Sequence, residues 1–157
     1  IRNSYQVVRQ WRDTLAKHGR ETELGTDLCI GYTTYIDNSE EKAINNPWRY
    51  FEENMKMFAP LGFVRGLSDE QLTALGRGSE AYSAGLPTME DAVRAGAWMV
   101  GPPERVSERL MELQDRYPGL EEMNVGASVM STEQSVVLDQ LDLFGKEVMP
   151  TFKNQRK

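Results

Sequence analysis

Apolar side chains recur at spacings of three and four residues along much of the chain, which predicts amphipathic helices. The clearest run is residues 1–18, where Tyr5, Val8 and Leu15 share one face and Gly19 follows as a cap. Cap residues and prolines predict further helices, with Asn38 capping one, Asn46 capping another that begins at Pro47, and others beginning near residues 88, 103 and 131. The predicted buried stripe of the helix after residue 103 is Val106, Leu110, Leu113 and Tyr117. In the last of these helices the predicted buried stripe is Val137, Leu141, Phe144 and Val148.

Three short runs rich in β-branched and aromatic residues predict strands at residues 28–36, 97–100 and 122–129. Helices alternate with these strands, which favours parallel βα units and an α/β fold. We expect the first strand to be buried and the Cys29 thiol within it to be an inert core group. Residues 59–87 have no steady period and many glycines and prolines, so they predict an irregular excursion within one domain spanning residues 1–157.

Three parallel strands alone would leave two strand edges unpaired. A complete (β/α)8 barrel needs about 200–250 residues, so 157 residues fit about three-eighths of one. The chain also starts at Ile1 directly inside a helical pattern. We therefore expect a partial TIM barrel that belongs to a longer protein.

Charge and composition narrow the function classes. The 24 acidic residues outnumber 18 basic ones, so the net charge of −6 disfavours a nucleic-acid partner. No apolar run approaches the roughly 18 residues that span a bilayer, and no secretory signal opens the chain, which predicts a soluble, cytoplasmic protein without a membrane partner. With one cysteine (Cys29) and one histidine (His18), we expect no internal disulfide and no metal site.

Candidate site residues follow from the strand ends. In parallel βα units the carboxyl ends of the strands face the ligand crevice. This rule selects residues at the ends of the three strands, namely Tyr35, Asp37 and Asn38, Gly101, and Ser128 and Met130. The four candidate site residues are Tyr35, Asp37, Gly101 and Ser128. Strand ends also serve as ordinary caps, so both interpretations remain open at this point.

The turn at residues 100–106, Val-Gly-Pro-Pro-Glu-Arg-Val, is the sharpest local motif. A glycine between a strand and a helix start presents free amides that favour an anion. Pro102 and Pro103 each remove one of those amides, which favours a plain tight βα turn instead. The turn lacks the spacing of a dinucleotide loop or a P-loop.

Two segments together resemble a known family. Met99 to Val106 with Leu110 resembles the "VG-[ST]-PE-x-V-x-x-x-L" turn of the bacterial luciferase-like flavin-dependent monooxygenases, with Pro102 in place of the usual Ser or Thr. Residues 141–150, Leu-Asp-Leu-Phe-Gly-Lys-Glu-Val-Met-Pro, resemble the "LF-x-x-x-VMP" pattern of that family's closing helix. The strand predicted at residues 122–129 lies between them, as in the family.

The resemblance implies the C-terminal part of a (β/α)8 barrel, from the fifth helix through the eighth. It implies reduced FMN, or a deazaflavin in some branches, as cofactor, and O2 with a small organic molecule as substrates. The family's phosphate-gripping segments and much of its oligomer interface lie in the N-terminal half, so no flavin-phosphate or catalytic residue is carried over to this chain. Tyr35, Asp37, Gly101 and Ser128 would line the far wall of the cavity.

Three hypotheses follow. In the first, the chain is an oxidoreductase fragment that is inactive without the N-terminal half of its barrel. In the second, it is a non-catalytic α/β subunit that completes a barrel with a partner chain. In the third, it is an unrelated α/β binding domain, which predicts a monomer that unfolds cooperatively and binds no flavin.

Overall fold

The computed structural model describes residues 2–59, 61, 67–75, 77, 85–127 and 131–153. The elements in chain order are α1 (Arg2–Lys17), β1 (Cys29–Ile36), α2 (Glu40–Asn45), α3 (Trp48–Phe58), α4 (Asp69–Leu75), α5 (Met89–Arg94), β2 (Trp98–Gly101), α6 (Pro103–Arg116), β3 (Glu122–Gly126), α7 (Gln134–Leu143), one π-helical turn (Phe144–Val148) and α8 (Met149–Lys153). The alternation of strands and helices confirms the predicted α/β class.

Local capping explains where several helices begin. Thr88 and Asp91 form a reciprocal capping box at the start of α5. Ser68 and Gln71 exchange the same pair of hydrogen bonds at α4. The predicted cap at Asn38 is wrong by one residue, because the Ser39 hydroxyl accepts the Lys42 amide N–H instead. Among the described residues, no helix is both long enough and apolar enough to cross a bilayer.

The three strands form one parallel sheet in the order β2-β1-β3. β2 pairs with the carboxyl half of β1, from Thr33↔Trp98 to Ile36↔Gly101. β3 pairs with the amino half, from Cys29↔Glu122 to Thr33↔Gly126. β2 and β3 therefore lie on opposite sides of β1. On the β2 side the amino half of β1 has no strand neighbour among the described residues, and on the β3 side the carboxyl half has none.

Two apolar clusters cover the sheet from opposite faces. The larger cluster joins α1, α6 and the C-terminal helix to one face, where the C-terminal helix is α7, the π-helical turn and α8 together. Its buried members are Val8, Ile36, Met99, Val106, Leu110, Leu113, Tyr117 and Val148. The smaller joins α2, α3 and α5 to the other face beside β2, and its buried members are Ala43, Phe51, Met55, Met89, Trp98 and Val100. The predicted stripe of α6 is confirmed, since Val106, Leu110, Leu113 and Tyr117 all lie in the larger cluster.

The second face of the sheet is only half covered. Successive residues of β1 face opposite sides of the sheet, and Cys29 and Gly31, which share one side, are exposed. Their partners on β3, Glu122 and Asn124, are exposed as well. The prediction that Cys29 is a buried thiol is therefore wrong. Its apolar sequence neighbours point to the opposite face, because successive strand residues alternate between the two faces of a sheet.

The predicted stripe of the C-terminal helix is confirmed at Val148, which is buried, and at Phe144, which packs against the larger cluster, but it is wrong at Leu141. Gln140 is buried, whereas Leu141 is 52% exposed. The chain then runs without interruption from α7 through the π-helical turn into α8, with the Met149 amide donating to the Phe144 carbonyl five residues back. A π-helical turn contains about one residue more than an α-helical turn. The extra residue shifts the buried position along the chain, so that Val148 lies on the buried side of the helix at 0% exposure.

The Gln140 side chain replaces a missing strand neighbour. Its Oε1 accepts the Ile36 amide at 2.6 Å, and its Nε2 donates to the Ile36 carbonyl at 2.9 Å. β3 pairs no further than Thr33, so without Gln140 these two backbone groups at the end of β1 would be buried and unpaired.

We expect Gln140→Ala to lower the free energy of unfolding by about 2–4 kcal/mol, because two buried backbone groups lose their only partner on that side. Urea-induced unfolding measures the change, and Gln134→Ala, an exposed site at the start of the same helix, is the matched control. A loss below about 0.5 kcal/mol would show that water or a neighbouring segment replaces the amide.

Candidate functional site

A cleft of about 520 Å³ opens at the carboxyl end of β1, where β3 has already ended. The end of β1, the start of α6 and one face of the C-terminal helix form its walls. The lining residues are Tyr35, Ile36, Asp37, Asn38, Pro103, Val136, Asp139, Gln140, Leu143 and Glu147. Two of the four predicted site residues, Tyr35 and Asp37, are thus brought into one cavity.

Both carboxylate oxygens of Asp37 are engaged by the loop that follows β1. Oδ1 accepts the Asn38 amide at 2.7 Å, and Oδ2 accepts the Asn46 side-chain amide at 2.7 Å. Asn46 was predicted to cap α3, and this prediction is wrong because its side chain is turned back to Asp37, while Pro47 occupies the cap position without a side-chain bond. Asp37 consequently fixes the mouth of the cleft and keeps its charge at the rim.

Tyr35 lies between the cleft and the smaller apolar cluster, against which its ring packs. Burial raises the pKa of the Tyr35 phenol above its ordinary value, and the carboxylate of Asp37, Tyr50 and the carboxylate of Asp139 raise it further. The phenol therefore stays protonated at neutral pH. It offers a hydrogen-bond donor on an aromatic surface inside the cleft.

Gly101 does not line the cleft, but it is hydrogen-bonded to Asp37, which does. Its carbonyl accepts the Asp37 amide at 3.2 Å, which ties the end of β2 to the end of β1. Its φ of +142° lies in a region that L side chains rarely adopt, and a Cβ there would meet the Arg105 side chain at 3.2 Å. The glycine is needed for the tight turn into α6, whose first residue is Pro103.

Two acidic side chains of the cleft were missed by strand-end reasoning, because they come from a helix. Asp139 and Glu147 reach it from the C-terminal helix, on either side of Gln140. With Asp37 they make the cavity anionic, so it repels phosphate and favours a neutral or cationic molecule. Across the described part of the chain, no group of three or more His, Cys, Asp or Glu is placed to hold a metal ion.

The remaining candidates are elsewhere. Ser128 lies outside the described residues. His18 is exposed just after α1, and Cys29 is at the amino end of β1, the opposite end of the strand from the cleft. The cleft is therefore lined by Tyr35 and by the three carboxylates of Asp37, Asp139 and Glu147.

Comparison with models of known protein families yields no match for this chain. No curated protein matches it either.

We expect Asp37→Asn to lower the pKa of Tyr35 toward its ordinary value, and Asp139→Asn to lower it by less, following the order of their electrostatic effects. Because the folded pKa exceeds the unfolded value near 10, Tyr35 adds stability below pH 10 that is lost as pH rises through the folded pKa. Tyr35→Phe should reduce that alkaline loss.

Carbon-13 NMR of ring-labelled tyrosines measures this titration, with Tyr35→Phe identifying the resonance. Glu122→Gln at the amino end of β3 is the control and should leave the pKa unchanged. An unaltered Tyr35 titration in both Asp variants would contradict the proposed anionic cleft.

Proposed function

We propose that this chain forms the C-terminal part of a flavin-dependent oxidoreductase barrel of the luciferase-like kind, inactive alone, in which reduced flavin and O2 oxygenate a small organic substrate. The observation that carries the proposal is the cleft at the carboxyl end of β1, which Tyr35 and Asp37 line. Active sites of (β/α)8 barrels occupy this end of the sheet.

The two motifs of the family resemblance occupy consistent places in the fold. The turn at residues 100–106 joins β2 to α6 directly, and Pro103 is the first residue of that helix. The segment at residues 141–150 belongs to the C-terminal helix and contains the π-helical turn. Both segments border the cleft, through Pro103 and through Leu143 and Glu147.

The sheet also supports the idea of a part that is completed by other strands. β2 and β3 each have one free edge within the described chain. The face bearing Cys29, Gly31 and Asn124 is exposed. Helices α2, α3 and α5 cover the carboxyl half of that face, beside β2. In a closed barrel both sheet edges are paired.

The residues of the cleft fit the ring or substrate part of a flavin site but not its phosphate part. Asp37, Asp139 and Glu147 would repel a flavin phosphate, and Pro102 and Pro103 remove amides that might have bound it. Tyr35 and the apolar side chains of Val136 and Leu143 fit a neutral aromatic ring or an apolar substrate. The phosphate would therefore be held by other segments, with this chain lining the opposite wall.

A bound flavin would supply the redox chemistry, whereas the chain's own residues would do three things. Tyr35 would donate a hydrogen bond into the cavity from a phenol that stays protonated. Asp37, held by Asn38 and Asn46, would fix the rim. Val136 and Leu143 would exclude water, which limits side reactions of a reactive oxygenating species.

The test uses the complete polypeptide in which this chain occurs. We expect it to bind reduced FMN or a deazaflavin and to consume O2 only when the flavin is reduced, while residues 1–157 alone do neither. Tyr35→Ala should increase the fraction of O2 released as hydrogen peroxide about tenfold, because water gains access to the cavity. Arg94→Ala, an exposed substitution on α5, is the control. A complete polypeptide that takes up no flavin of either kind would refute the proposal.

One observation favours the second function, a non-catalytic subunit. A groove of about 300 Å³ follows the free edge of β2. Its charged lining has both signs, contributed by Arg94, Arg105, Arg109 and Arg116 and by Glu40, Glu90 and Glu112. A strand from a separate chain could pair with β2 there.

Native mass spectrometry separates the two functions. A stoichiometric companion chain without flavin would favour the subunit, and a companion with retained flavin would indicate a barrel divided between two chains. If neither a companion nor a flavin accompanies the chain and its complete polypeptide, both hypotheses are wrong.

A further inference from the structure

The carboxylates of the cleft at the end of β1 have no cationic partner among the described residues. Three lining side chains are acidic, namely Asp37, Asp139 and Glu147, and no lining side chain is a lysine or an arginine. Lys146 is next to Glu147 in sequence, but its ammonium binds Asp142 at 2.7 Å, outside the cleft. A cavity with uncompensated negative charge favours a ligand that brings a positive charge.

Asp37 and Asp139 present their charges in different ways. The two oxygens of Asp37 accept hydrogen bonds from the Asn38 amide and the Asn46 side chain, which are neutral donors. These bonds fix the carboxylate in place without cancelling its charge. Asp139 accepts no hydrogen bond from the described residues, so its carboxylate is available to a ligand. Both carboxylates raise the pKa of the Tyr35 phenol, which places them near the same ring.

Apolar surface lies beside these charges. Leu143 follows Asp139 by four residues, so the two side chains share one face of the C-terminal helix, and Val136 shares it as well. Tyr35 adds an aromatic ring, whose face attracts a cation. The cavity volume of about 520 Å³ is ordinary for a site that binds a small molecule. Alkyl groups attached to a charged nitrogen would match both kinds of surface.

We propose that the substrate held in this cleft is a small alkylammonium compound, with its cationic nitrogen between Asp37 and Asp139 and its alkyl part against Leu143. The inference rests on the proposed function, since it names the substrate class of the same cleft. A neutral molecule of the same shape would leave the carboxylates without a counter-charge, and an anion would be repelled.

Three compounds with the same five-carbon chain test the role of charge, namely pentylammonium, pentanol and pentanoate. Each is titrated calorimetrically into the complete polypeptide at neutral pH without flavin. We expect the Kd of pentylammonium to be at least about tenfold lower than that of pentanol, and pentanoate to show no binding. Added salt should weaken the binding of pentylammonium and leave that of pentanol unchanged.

The position of the charge is tested by substitution. Asp139→Asn should weaken pentylammonium binding about tenfold and leave pentanol binding unchanged, because the charge is removed while the shape of the cleft is kept. Asp142→Asn, which removes a carboxylate from the same helix outside the cleft, is the matched control and should change neither Kd by more than about twofold. In carbon-13 NMR, pentylammonium should shift the ring resonances of Tyr35 and leave those of Tyr5 on α1 in place.

Three outcomes would overturn the inference. One is pentanol binding as tightly as pentylammonium. Another is an equal loss of binding in the Asp139→Asn and Asp142→Asn variants, which would show that only the overall charge matters. The third is displacement of pentylammonium by an equal concentration of Mg²⁺, which would show a metal site instead.

The same titrations separate this inference from the proposed function. A complete polypeptide that binds flavin and consumes O2 but does not prefer pentylammonium would refute the substrate class alone. One that takes up no flavin and still selects pentylammonium through Asp139 would refute the flavin chemistry and support an organic-cation site.

Discussion

The structure depends on how the backbone amide and carbonyl groups at the carboxyl end of β1 find hydrogen-bond partners. β1 is the central strand, but β3 accompanies only its first half, up to Thr33. Beyond that point the Gln140 amide supplies the donor and acceptor that a strand would have supplied to Ile36. A side chain is narrower than a strand, so the space beside Ile36 stays open. The cleft exists because a helix side chain, rather than another strand, completes β1.

That substitution also sets the chemistry of the cleft. Since Gln140 must point at Ile36, its neighbours in the helix, Asp139 and Glu147, are placed at the same opening. Burial of Tyr35, together with the carboxylates of Asp37 and Asp139, raises the pKa of its phenol. The acidic character of this end is thus a consequence of the same helix orientation that holds the sheet together.

The sequence predicts the helices and strands better than it predicts their contacts with distant parts of the chain. Regular stripes and local caps predict most helices, because α6 and α5 are specified by residues close in sequence. The errors arise where a distant contact decides. Gln140 is polar, and only its partner 104 residues away explains its burial in place of Leu141. Cys29 has apolar neighbours, yet its side chain is exposed, because the helices on its face of the sheet cover only the half beside β2. Tyr35 and Asp37 were found because strand ends are visible in sequence, whereas Asp139 and Glu147 were not.

The strand order changes what a barrel interpretation requires. In a closed barrel consecutive strands are neighbours, and here the neighbours in the lower half of the sheet are β1 and β3. β2 instead pairs with the upper half of β1. β2 then has a different role, since it widens the sheet at the end where Tyr35 and Asp37 lie, and its Gly101 carbonyl anchors Asp37 there.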